Sequence, residues 1–252
     1  VVEALVYNHY DLQSKTWQAL GALAPEQYDG KYKVIIWENS GENGSSYQRY
    51  KADMRFDKNN RMYITVPINA DNASNIFNYV ITAYSDDGGH TFKKRSSATI
   101  SPLPMRIASG SAQADVIDGY YNAAMSEHAN ILLDAKNNPA IYFGIDGETW
   151  YRYAQGDSWS TRQRIFDNKQ CSRCFTLSDQ DNGVMSLIDY NKWYRFTDYG
   201  MTMHKYQISV PILRWDLRAL KEAHTYRGVY WNSKTGQWNI YRVDVSNPTK
   251  CF

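Results

Sequence analysis

Long apolar runs are missing from this 252-residue chain, and no stretch approaches the roughly 20 apolar residues of a helical membrane span. A charge excess of one sign is missing too. With 28 Lys and Arg against 26 Asp and Glu, the net charge is +2, so no global field marks a nucleic-acid binder. The sequence contains no Walker loop, dinucleotide fingerprint, HExxH or GxSxG element, which argues against those chemistries and against an organic cofactor. Cysteine is scarce: Cys171, Cys174 and Cys251 cannot form a complete set of internal disulfides. The chain starts at "VVEALVYNHYDL", without Met or a signal peptide and already in strand-like alternation, so a mature or truncated N-terminus is expected. Helical patterning is rare as well, and "LRWDLRALKEAHTY" (213–226) is the best candidate for a helix.

Large amphipathic rings are abundant, with 21 Tyr and 8 Trp against 8 Phe. They suit sheet surfaces in general and sugar-binding clefts in particular. One unit recurs: an alternating apolar run, a turn rich in Asp and Asn, then a second alternating run. It reads "MRFDKNNRMYITV" (54–66), "ILLDAKNNPAIYF" (131–143), "FTLSDQDNGVMSLI" (175–188) and "GVYWNSKTGQWNIYRV" (228–243). Each is a β-hairpin whose Asn or Gly supplies the positive φ of a tight turn. A second device is a turn that closes on Trp or Phe, in "YDLQSKTW" (10–17), "SDDGGHTF" (85–92), "IDGETW" (145–150) and "TGQW" (235–238). There an Asp side chain accepts backbone N–H bonds while the aromatic is expected to pack beneath the hairpin.

Repeated hairpin units of this kind predict an all-β chain built as a β-propeller, with residues 1–252 forming one domain. About four to five blades fit this length. Open sheet edges are liabilities, so the expectation is the C-terminal portion of a longer ring whose N-terminal blades lie elsewhere, with a separate segment as one way to supply them.

With these repeats, "YSDDGGHTF" (84–92), matching Ser-x-Asp-x-Gly-x-Thr-Phe, resembles the Asp-box of propeller enzymes. Together with "ISPLP" (100–104), "MRFDKNNRMYITVPI" and "NAAMSEHANILLDAKNNPAIYF" (122–143), it resembles the ulvan lyases of the BNR-repeat propeller type, over most of the chain. The resemblance implies a seven-bladed ring and a secreted or periplasmic enzyme. Its substrate would be an acidic sulfated polysaccharide, cleaved at the uronate by β-elimination. That chemistry needs a cation on the uronate carboxylate, a base for the C5 proton and an acid for the leaving oxygen. In "YKVIIWENSGENGSSYQRYKADMR" (32–55) the resemblance places Arg49 as the carboxylate neutraliser, Arg55 as a substrate or sulfate contact and Tyr32 as acid or base. Tyr47 and Tyr50 are the alternatives for that tyrosine and further candidate substrate contacts. The family's catalytic His sits in an earlier blade and is carried onto no residue here. Ordinary exposed strand residues in salt bridges are the competing reading for each position.

"QCSRCF" provides Cys171-x-x-Cys174, a bidentate thiolate pair for Zn²⁺ that Cys251 and one His would complete as Cys₃His. The lyases it resembles also carry a structural zinc. His128 is the first choice for the fourth ligand, His204 the second and His224 the third. A reduced buried pair, or a Cys171–Cys174 disulfide leaving Cys251 free, are the alternatives.

His90, within the Asp-box-like turn, reads as exposed and structural, and "KKRSS" (93–97) as a solvated loop or a polymer contact. Arg152, Arg162, Arg164 and Arg173 are candidates for a basic groove, and Asn122 and Glu127 for channel-facing positions. Two other functions compete. A sialidase-like glycoside hydrolase would need an Arg cluster and a Tyr–Glu pair. A non-catalytic carbohydrate-binding propeller would use the same aromatics with no base in reach.

Overall fold

The computed structural model describes residues 4–7, 9–18, 33–37, 52–68, 79–101, 105, 107–108, 111–112, 114–119, 125–145, 148–166, 175–179, 184–189, 192–197, 202–207, 214–216 and 225–244. Among these residues all regular structure is strand. The chain divides into two compact units, Val1–Ile131 with Ile141–Gln170, and Leu132–Ala140 with Cys171–Phe252.

The first unit opens with β1 (Ala4–Tyr7), β2 (His9–Asp11), β3 (Thr16–Gln18) and β4 (Lys33–Trp37). β1 pairs antiparallel with β4, and β2 with β3. A six-stranded sheet follows, ordered β5 (Asp53–Phe56), β6 (Met62–Ile68), β7 (Tyr79–Ser85), β8 (Phe92–Lys93) and β9 (Thr99–Ile100). After the short pair β10 (Ile107–Ala108) and β11 (Ser111–Ala112), β12 (Asp115–Gly119) returns to pair with β7. The next sheet has five strands: β13 (Met125–Leu133), β14 (Pro139–Ile145), β15 (Glu148–Gln155), β16 (Ser158–Trp159) and β17 (Gln163–Phe166), the last also pairing with β15. Its β13–β14 tip is the Leu132–Ala140 segment of the second unit.

A single pattern is repeated in both sheets. β7 gives one end of an edge to a tight hairpin partner, β8, and the other end to a returning strand, β12. β15 divides its edge in the same way between β16 and β17. Consecutive β1 and β2 divide theirs between β4 and β3.

The second unit holds the four-stranded meander β18 (Phe175–Asp179), β19 (Val184–Asp189), β20 (Lys192–Thr197) and β21 (Thr202–Gln207). It also holds the three-stranded sheet β22 (Arg214–Asp216), β23 (Thr225–Asn232) and β24 (Gln237–Asp244). Of the 213–226 segment that is the best helical candidate in the sequence, Arg214–Asp216 and the first two residues of β23 are strand, and 217–224 lie outside the described residues. Arg214, Trp215 and Asp216 pair with Val229, Gly228 and Arg227 of β23, and this cross-strand pairing decides their strand conformation.

Successive side chains of a strand point to opposite faces. Burial of both parities therefore means that both faces are covered. β14 is buried at all seven of its positions, and adjacent Trp193 and Tyr194 of β20 are both fully buried. Such strands read as continuous apolar runs rather than alternating ones. In the six-stranded sheet the core gathers Met62, Ile64 and Val66 of β6, Ile81 of β7, Phe92 and Met105.

The turns explain why Asp recurs at hairpin ends. Between β5 and β6, Asp57 Oδ1 accepts the N–H groups of Asn59 (2.8 Å) and Arg61 (2.9 Å). Between β13 and β14, Asp134 Oδ1 accepts those of Lys136 (2.8 Å) and Asn138 (2.7 Å). The backbone bonds match as well: Asp57 to Arg61 at 3.0 Å and Asp134 to Asn138 at 3.0 Å. Asn60 and Asn137 take the left-handed position, at φ 61° and 66°, which Asn tolerates better than most side chains.

The Ser85–Phe92 turn uses a different set of bonds. Asp87 accepts Thr91 N–H (2.9 Å) and Thr91 Oγ1–H (2.6 Å), and Ser85 Oγ accepts Gly89 N–H (2.8 Å). Partial burial works against the Asp87 charge, but the bonds from Thr91 and Ser85 outweigh it and hold its carboxyl down at about 2. Phe92 is fully buried beneath the turn, as expected, and His90 is exposed. Arg61 links this turn to the Asp57 turn, binding Asp86 at 2.6 Å while its guanidinium lies 4.3 Å from the centre of the Tyr84 ring. The basic run 93–97 is not a free loop: Lys93 pairs with Asp86 at 3.2 Å, and Arg95 Nε donates to the Gly156 carbonyl at 2.8 Å.

Two turns depart from expectation. Trp17 and Trp238 do not pack beneath their hairpins; they are 67% and 61% exposed. Each meets an aromatic cross-strand partner edge-on instead, Tyr10–Trp17 at 5.4 Å and Trp231–Trp238 at 5.3 Å.

Replacing Asp57 or Asp134 by Ala leaves two turn N–H groups without their buried carboxylate acceptor. Each substitution is expected to cost roughly 2 kcal/mol, with Asn restoring most of it, as measured by equilibrium urea unfolding.

Candidate functional site

β5 alternates: Asp53 and Arg55 are half-buried on one face, while Met54 and Phe56 are exposed on the other. Asp53 Oδ2 accepts the Arg55 Nε–H at 3.2 Å and the backbone N–H of Ile131, on β13, at 2.9 Å. Its Oδ1 accepts the Met54 N–H at 3.0 Å. A side chain, not a strand ladder, thus fastens the first strand of one sheet to the first strand of the next.

Burial pushes the Asp53 carboxyl above the usual carboxylate range, and the Arg55 charge and the hydrogen bonds oppose that shift without cancelling it. The result is a carboxyl that holds its proton to higher pH, two positions from a guanidinium. A guanidinium carries five donors, of which Nε–H here goes to Asp53. Such a pair suits both proton handling and the binding of an anionic group.

Of the residues singled out from the sequence, Arg55 is placed as described. Tyr32, Tyr47, Arg49 and Tyr50 lie outside the described residues, as do Cys171, Cys174, Cys251, His224, Arg173 and Asn122. His128 lies on β13, three positions before the Ile131 whose N–H meets Asp53. His204 is exposed on β21, opposite Arg195. Among the described residues, no group of three or more His, Cys, Asp or Glu is arranged to hold a metal ion. Asp53 was not anticipated. Its signal is the Asp-x-Arg spacing of "ADMRF" within an alternating strand, which puts both charges on one face.

No family model and no curated protein matches the chain. Solved structures do. An ulvan lyase representing a new family of polysaccharide lyase superposes with a TM-score of 0.61 at 12% identity, over 96% of this chain and 59% of that one. An ulvan lyase bound to -[GlcA(1-4)Rha3S]- gives 0.56 at 13% identity, over 97% and 57%. The α-L-arabinanase of Penicillium chrysogenum, complexed with arabinobiose, gives 0.52 at 8% identity, over 97% and 68%. The chain therefore has the fold of these β-propeller enzymes. It spans less than two thirds of the length of either lyase.

Because the folded Asp53 carboxyl titrates above its unfolded value of 3.8, the unfolded state releases its proton first as pH rises. The contribution of Asp53 to stability is thus complete below 3.8 and is lost as pH climbs through the folded value. Asp53→Asn keeps an acceptor for the Ile131 N–H but removes the titration. Urea unfolding across the acid range is expected to show the parent losing stability relative to this variant as pH increases.

Proposed function

We propose that this chain is part of a propeller polysaccharide lyase. It cleaves a sulfated rhamnose–uronate polymer of the ulvan type by β-elimination. The observation that carries this reading is the fold likeness to ulvan lyases along 96% of the chain, together with the sequence resemblance of the segments around Asp57, Ser85–Phe92 and Asp134. In the elimination, the uronate C5–H bond breaks and its proton passes to the base. The C4=C5 double bond forms as the C4–O bond breaks, and the departing oxygen takes a proton from the acid. Arg49 neutralises the uronate carboxylate and so acidifies C5–H. Tyr32 is the acid or base, with Tyr47 or Tyr50 in its place as the alternative. Arg55, held by Asp53, contacts a sulfate or carboxylate of the bound chain. The catalytic His of the lyases it resembles is assigned to no residue of this chain, and the enzyme works outside the cell or in the periplasm.

A sialidase-like or arabinanase-like hydrolase and a non-catalytic carbohydrate-binding propeller share the fold. The product separates the three: an unsaturated uronyl end absorbs in the ultraviolet, a hydrolase gives reducing ends without that absorbance, and a binder gives neither. The preparation to use is this segment with the N-terminal blades supplied, mixed with ulvan. Absorbance is expected to rise, and Arg49→Ala to lower kcat/KM by about a hundredfold or more. Reducing ends without absorbance would replace the lyase by a hydrolase.

We also propose a structural zinc held by Cys171, Cys174 and Cys251 with His128 as fourth ligand; four protein ligands leave no open position for catalysis. Purified protein is expected to carry one equivalent of zinc, and Cys171→Ser to lose it by elemental analysis. Zinc-free wild type, or unchanged metal in the variant, would end this assignment.

A further inference from the structure

The β15–β17 pair has one buried face and one basic face. Thr149, Tyr151 and Ile165 are buried, whereas Glu148, Trp150 and Arg152 alternate with them, and Trp150 lies in register with Arg164. The Arg162 guanidinium stacks 4.8 Å from the centre of the Trp150 ring. Arg164 Nη1 donates to Glu148 Oε1 at 2.7 Å. The exposed Arg162 and Arg164 thus flank one indole, with the Glu148 carboxylate paired to one of them. The other carboxylate of this segment, Asp157, is exposed at the β15–β16 turn. In a chain whose overall charge is only +2, this is a local concentration of cations rather than a general excess.

We infer that this face is a second binding site for an anionic polysaccharide, with Arg162 and Arg164 gripping sulfate ester groups of a chain that runs past Trp150. The inference rests on the polysaccharide reading above but uses a different sheet from Asp53 and Arg55. Two physical points support it. A guanidinium fork fits two oxygens of a sulfate at once, and the charge-assisted bonds are strong. Stacking on Trp150 and pairing with Glu148 already orient the two exposed arginines, so less side-chain freedom is lost on binding. No atom changes its covalent bonds here; the site tethers the polymer and raises its local concentration.

The test is affinity electrophoresis through gels containing ulvan, desulfated ulvan, neutral dextran or duplex DNA. It compares wild type, Arg162→Ala/Arg164→Ala, Arg162→Lys/Arg164→Lys and Trp150→Ala, each checked for folding by circular dichroism. Wild type is expected to be retarded most by ulvan. The double Ala variant should bind ulvan roughly tenfold more weakly, and the Lys variant should fall between the two. Cleavage of short uronate oligosaccharides by the complemented enzyme should not change. Equal retardation of wild type and the double Ala variant, equal binding of desulfated ulvan, preference for DNA, or no retardation of wild type would each overturn the site. Lost retardation in a protein that forms no unsaturated product would keep the site and remove the lyase reading. Normal turnover with unaltered retardation would do the reverse.

Discussion

The hairpins depend on carboxylates that replace missing backbone partners. A tight turn leaves N–H groups without a strand to donate to, and a donor left unpaired is costly. Asp57 and Asp134 each collect two such N–H groups through a single oxygen, in the same geometry and at nearly the same distances. Asp11 does this at the β2–β3 turn for Gln13 and Ser14, and Asn232 at the β23–β24 turn for Lys234 and Thr235. The carboxylate or amide fixes the turn, the turn fixes the register of the strands it joins, and register decides which side chains reach the core.

Asp53 serves a different purpose. It uses the same acceptor chemistry to reach a strand 78 residues away, and this contact places Arg55 beside the start of the next sheet. Its cost is visible in the raised carboxyl. A half-buried acid beside a guanidinium is a poor choice for stability alone, since apolar packing would hold two strands together without desolvating a charge. Its presence on β5 is consistent with a demand other than folding, and the anionic substrate proposed above supplies one.

Aromatic residues divide by cover rather than by type. Phe92, Phe143 and Trp193 are buried in sheets whose strands are covered on both faces. Tyr10, Trp17, Trp231 and Trp238 occupy hairpins of the same general kind yet stay open to solvent, packing edge-on in cross-strand pairs. Trp150 is intermediate, half-exposed under the Arg162 guanidinium. The same residue class thus serves as core, as cross-strand brace and as a platform for a cation.

Local chemistry was legible in the amino-acid order. Turn positions at Asp57–Arg61, Ser85–Phe92 and Asp134–Asn138, with their positive-φ Asn and Gly residues, follow from contacts spanning a few residues, and so does the all-strand character. These preferences act between neighbours, so the sequence by itself determined them. The strand identity of Arg214–Asp216, the exposure of Trp17 and Trp238, and the bond from Ile131 to Asp53 were not legible in the same way. Each is decided by what a distant segment places alongside: β23 beside β22, the absence of cover over a hairpin, or β13 beside β5. Local pattern carries no term for such partners, so only the tertiary structure decided which aromatics are core, which arginines converge, and which carboxylate holds its proton.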